Sequence, residues 1–210
     1  MIRPDISNLC ANARQIVEGI ERESLDVYLF LKEQFNSGPI FQNYLFQFVY
    51  RSFYRLDNAG LTPEFKTEYF KLMEECRSSN CLDLTTIAKH LYEIQNRKKQ
   101  KTLQFFFITK LANTINDDYP LYDSEVAKIF SFNAPYTYKP MEERLTAYLD
   151  FYDNLKNYYH ELLNGNVCAP IFASFQETYP NDILSRIPRL KLLDFFFWSA
   201  GKKILKDKAI

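Results

Sequence analysis

The sequence predicts an all-α chain, and three observations predict it. Apolar residues recur at helical spacing through most of the length. Glycine is scarce, five in 210 residues, and Val/Ile/Thr alternation is almost absent, so strands and the turns that join them are poorly supplied. Aspartate, threonine and serine stand where helices would start. With 47% hydrophobic residues, 19 Phe and 15 Tyr, the chain carries far too much apolar mass to stay disordered. The expected architecture is one domain over residues 1–210, an orthogonal bundle of about eight to ten helices.

Residues 5–35 hold one or two helices, with Ile6, Leu9, Ile16, Val17 and Ile20, then Leu25, Tyr28 and Leu29, near helical register; Ser37-Gly38-Pro39 stops them. The aromatic stretch from Ile40 reads as a largely buried helix ending at Asn58-Ala59-Gly60. Thr62-Pro63-Glu64 opens the next helix, which runs to near Arg77, and Asp83 caps another that leads into Arg97-Lys98-Lys99-Gln100-Lys101. Residues 101–116 form a helix apolar enough for the centre of a bundle. Phe105, Phe107, Ile108, Leu111, Ala112 and Ile115 share one arc; Phe106, Thr109, Lys110, Asn113 and Thr114 take the other.

Asn116-Asp117-Asp118 ends that helix, Pro120 stiffens an extended turn, and Asp123-Ser124-Glu125 reads as the cap and first turn of a helix carrying Val126 and Ile129. The longest helix spans Met141 to Leu163. A short one covers 170–178, and a final one starts after Pro188, with Lys191, Asp194 and Trp198 on its more polar side.

Composition narrows the function classes. Formal net charge is +0, so no global field draws the protein to nucleic acid or membrane. Charge is unevenly spread, however: 11 acidic against 4 basic side chains from Asp117 to Asp182, and 7 basic against 2 acidic from Arg186 to Lys208. The N-terminal residues lack a signal-peptide core and no apolar run is of membrane-spanning length, so a soluble, cytoplasmic protein is expected. Cys10, Cys76, Cys81 and Cys168 fit neither metal spacing nor a disulfide framework and are expected to be buried free thiols. His90 and His160 have no partner motif, Asp150 and Asp153 read as a solvated pair, and neither a metal nor a cofactor is expected.

The sharpest constellation is Lys110 with Asp123, thirteen residues apart across a helix-turn-helix start and flanked by Asn113, Tyr119, Tyr122 and Ser124. A capping aspartate has its anion favoured by unpaired N–H groups, so it should stay ionised at neutral pH. A lysine on an apolar helix loses basicity and gains competence as a nucleophile or base. Two structural alternatives stand beside this: Asp123 as an ordinary N-cap, and Lys110 as a paired or snorkelling side chain. Arg97, Lys98, Lys99 and Lys101, with Lys202 and Lys203 near the C-terminus, are the candidate phosphate contacts, and Trp198 could stack on a base. The alternative for the basic cluster is a solvated helix end, and for Trp198 a packed core position.

The pattern FxxKLxxxIN…YPLYDSEV, with the later WxxGK, resembles a motif of a bacterial protein family. More distantly, an aspartate opening a helix after an extended proline segment is similar to the catalytic segment of helix-hairpin-helix base-excision DNA glycosylases. That resemblance implies an all-helical fold and DNA as partner, with Asp123 as catalytic carboxylate and Lys110 as the amine used by bifunctional members. The Gly-rich hairpin of those enzymes has no counterpart, since no glycine lies between Gln95 and Asp123. The rival expectation is a non-catalytic helical module whose aromatic surface, residues 40–55 included, binds another protein or a second copy of the chain.

Overall fold

Three aspartates start helices in the structure: Asp5, Asp83 and Asp123 each accept two backbone N–H groups of the following first turn. The computed structural model describes residues 1–79 and 81–207, with side chains to residue 203, and the regular structure among them is all helical. Lys206 and Lys208 of the basic C-terminal stretch lie outside the described side chains.

In chain order the helices are α1 (Ile6–Ala11), α2 (Ala13–Glu18), α3 (Arg22–Ser37), α4 (Tyr44–Phe53), α5 (Pro63–Ser79), α6 (Leu84–Tyr92), α7 (Phe105–Ile115), α8 (Ser124–Ile129), α9 (Met141–Asn164), α10 (Ala169–Thr178), α11 (Asn181–Leu184) and α12 (Arg189–Asp207); a single 3-10 turn, Leu56–Asn58, follows α4. The number exceeds the expected eight to ten because short helices are added. The chain breaks at Asn12, giving three helices rather than two before Ser37, and α11 is one turn. Gly60 has φ 68, yet it follows the 3-10 turn rather than capping α4. The residue that leaves α4 in the left-handed conformation is Arg55, with φ 59.

The buried apolar side chains form one continuous cluster from Ala13 to Ala200. Helix α7 lies at its centre, with eight of its eleven residues buried. Its polar arc is buried as well, which the sequence pattern did not foretell: Thr109, Asn113 and Thr114 are 0 to 4% exposed. Each is hydrogen-bonded, as buried polar groups must be. Thr114 donates to the Lys110 carbonyl, and the Tyr69 hydroxyl reaches the Phe107 carbonyl at 2.8 Å.

Two close approaches fix α12. A Cβ built on Gly201 would lie 2.7 Å from the Glu125 carbonyl carbon, so only glycine lets α12 pack onto α8 at this depth. Ser199 donates to the Ile16 carbonyl at 2.7 Å and ties the other side of α12 to α2.

The four cysteines are free; Cys168 is buried as expected, but Cys10 and Cys76 are partly buried and Cys81 is exposed. Asp150 and Asp153 are both exposed, as a solvated pair should be. His90 pairs with Glu68 at 2.8 Å. Among the described residues no helix is long and apolar enough to cross a membrane.

Candidate functional site

The extended segment Tyr119–Tyr122 joins α7 to α8 without backbone partners of a sheet or helix, and buried side chains supply them instead. Asn113 Nδ2 donates to the Tyr119 carbonyl at 2.7 Å, and the Tyr152 hydroxyl to the Pro120 carbonyl at 2.6 Å. Leu121 N donates to Asp194 Oδ1 at 2.9 Å, and Tyr122 N to Thr109 Oγ1 at 3.2 Å. Four helix-borne groups therefore hold four consecutive residues. The next residue is Asp123.

Asp123 caps α8 through one oxygen only: Oδ1 accepts Glu125 N and Val126 N, both at 2.9 Å. Oδ2 accepts from no described residue, and the side chain lines a cleft of about 660 Å³. Lys110 lines the same cleft. Its Nζ donates to the Tyr54 carbonyl at 3.2 Å and lies 5.1 to 5.4 Å from the ring centres of Tyr54, Phe106 and Phe107. Lys110 and Asp123 feel each other's charge but close no ion pair. They face an open cleft rather than packed side chains.

Electrostatics follow from this half-buried setting. Desolvation pulls the Lys110 ammonium down to about 8, against the pull of Asp123, which favours the charged form. The Val126 and Glu125 N–H groups favour the Asp123 anion as the sequence suggested, as does Lys110, but burial outweighs them and raises its carboxyl above the ordinary value. Both groups are thus shifted toward their neutral forms.

A second Lys–Asp pair forms the floor. Lys191 and Asp194, 1 and 2% exposed, lie 3.5 Å apart on α12. Lys191 Nζ also donates to Asn113 Oδ1 at 3.0 Å, so Asn113 bridges the pair to the Tyr119 carbonyl. Burial pushes the Asp194 carboxyl up to about 6, against stabilisation of its anion by Lys191 and the Leu121 N–H.

Trp198 and Lys202 complete the α12 wall, with Lys202 Nζ 3.4 Å from the centre of the Trp198 ring. Phe53, Phe106, Arg55, Ser124 and Glu125 also line the cleft, Glu125 paired with Lys128 at 2.9 Å.

The structure thus brings together Lys110, Asp123, Ser124, Trp198 and Lys202, with Asn113 behind them as a support. Tyr122 is not at the cleft; it is buried among Phe105, Phe132, Tyr148 and Phe151. Arg97, Lys98, Lys99 and Lys101 lie in the α6–α7 loop, and none lines the cleft. Arg97 donates its backbone N–H to the Gly60 carbonyl and its Nε to the Leu61 carbonyl, and Lys101 pairs with Glu93. Lys203 reaches the Gln15 carbonyl. Sequence reasoning missed Tyr54, Arg55 and the anchoring work of Thr109, Tyr152 and the Lys191–Asp194 pair. A signal was present for the last: Lys191, Asp194, Trp198 and Lys202 recur at three- and four-residue steps.

The chain matches no family model, and it matches neither a curated protein nor a solved structure.

Proposed function

We propose that the cleft is the active site of a base-excision-type enzyme, which breaks the bond between a nucleobase and its sugar. One observation carries the reading: a carboxylate oxygen left free by its own helix cap faces a lysine of lowered basicity across an open, aromatic-lined cleft. Loss of a base leaves positive charge on the sugar, and a carboxylate held beside it stabilises that charge. Asp123 takes this role. The departing base keeps the electron pair of the broken bond and takes up the proton that the Lys110 nitrogen releases on bonding to the sugar carbon. Lys110, when neutral, is an amine that can bond to the sugar carbon after shedding its proton. Trp198, Phe53 and Phe106 offer apolar faces of the kind on which bases stack.

The test is release of base from duplex oligonucleotides carrying uracil, oxidised or alkylated bases, read as strand breaks after alkali. Release from any of them supports the reading. Wild-type protein inert on all of them, with no salt-dependent retention on DNA, overturns it.

A second reading rests on α4. Tyr44 and Phe48 are 77 and 62% exposed, with Phe41 and Leu45 beside them, a cluster that water disfavours. The chain carries no net charge to keep copies apart. This face suits self-association with a second copy. Sedimentation of wild type against Phe48→Ser distinguishes a dimer that dissociates on substitution from a monomer that contradicts the reading.

A further inference from the structure

The rim of the cleft carries two cations that the proposed chemistry does not use. Arg55, just past the end of α4, and Lys202, in the last turns of α12, both line it, and each feels the other's charge. Both are exposed, and among the described residues neither meets a carboxylate. Lys202 rests its ammonium on the Trp198 ring. The acidic groups nearby are otherwise engaged or apart: Glu125 is held by Lys128, Asp123 caps α8, and Glu21 shares the cleft without pairing with Lys202.

Arg55 occupies the position just past the end of α4 with φ 59 and ψ 31. Glycine is the residue that adopts this conformation without strain, and it is the usual choice there. The chain keeps an arginine in its place, and the strained backbone aims a guanidinium at a cleft. Lys99 and Ser131 also have positive φ, so the conformation alone assigns no role; what sets Arg55 apart from them is that it lines the cleft.

We propose that Arg55 and Lys202 form a phosphate site at the mouth of the cleft, so that the ligand enters as a phosphorylated nucleotide unit with its sugar toward Lys110 and Asp123. A guanidinium fork grips two phosphate oxygens, and an ammonium supplies a second point charge. The inference deepens the proposed function and rests on it for the identity of the sugar. Its test breaks no glycosidic bond, so either can fail alone.

Trp198 is the sole tryptophan, and it reports directly on Lys202. Its emission is followed while inorganic phosphate, thymidine 5′-monophosphate or a thymidine dinucleotide joined by one phosphodiester is added at constant ionic strength. The expected result is a saturable change as Lys202 leaves the ring. Its midpoint moves at least tenfold in Arg55→Gln and stays in place in Lys89→Gln, an exposed charge elsewhere; Lys202→Gln, which removes the reporting contact, is read by equilibrium dialysis and weakens binding at least tenfold as well. Tighter binding of the dinucleotide than of the monophosphate assigns the site to a nucleic-acid backbone; the reverse assigns it to a free nucleotide. Arg55→Gly separates binding from folding, since it should raise Tm while weakening phosphate as Arg55→Gln does. No saturable change in wild type, or a midpoint untouched by either substitution, overturns the site.

Discussion

Leu121 donates its backbone N–H to the buried carboxylate of Asp194 at 2.9 Å, from a position two residues before Asp123. The same carboxylate faces Lys191, and Lys191 in turn holds Asn113, so one charged pair on α12 fixes the segment that aims the candidate catalytic aspartate.

Asp194→Ala leaves a buried ammonium and an orphan amide, and should cost about 3–5 kcal/mol, the usual consequence of breaking a buried pair. Replacing both members, Lys191→Met with Asp194→Leu, should recover much of that loss. Urea unfolding checks both. Equal destabilisation by the single and double variants would contradict the pairing.

Gly201→Ala places a methyl group 2.8 Å from the Glu125 Cβ and forces α8 off α12. Overpacking of this kind costs about 1–3 kcal/mol. Because α8 carries Asp123 at its start, any base release should fall more than the stability loss alone accounts for. Thermal unfolding and activity of one preparation test the two effects together.

The hydroxyl of Tyr152 is the donor found for the Pro120 carbonyl. Tyr152→Phe removes it with little change of shape and leaves a buried acceptor unsatisfied, at about 1–3 kcal/mol. A variant as stable as wild type would show that the segment is held without it.

Lys110 gives a pH signature. Its ammonium titrates near 8 in the folded chain and near 10.5 when unfolded, so across that window the unfolded chain binds more protons. Its contribution therefore makes stability rise with pH between the two values. Reductive methylation followed by mass spectrometry should find Lys110 half-reactive near pH 8, well below solvated lysines. Labelling that follows the surface lysines would contradict the desolvation.

Much of this was legible in the sequence. Asp83 and Asp123 announced their caps because a capping carboxylate works within two or three residues, and Lys110 announced its lowered basicity because its neighbours along α7 are apolar. What escaped was set across the chain. Asn113 and Thr109 read only as part of the polar arc of α7, since nothing local shows that Tyr119 and Tyr122 bring backbone groups to them. The cap at Asp123 suggested a lowered carboxyl pKa, but burial by distant elements won. Arg97 and Lys101 read as a basic patch until the fold gave them the Leu61 carbonyl and Glu93. Arg55 carried no signal, because its left-handed backbone is visible only once α4 ends there.

The most direct test of the central claim compares Asp123→Asn with wild type. Asparagine can still accept the Glu125 and Val126 N–H groups, so the cap and the fold should survive, with Tm close to wild type. The account predicts that base release then falls by at least about a hundredfold, the scale on which a group stabilising transition-state charge acts. Release at the wild-type rate in a folded Asp123→Asn protein would contradict it.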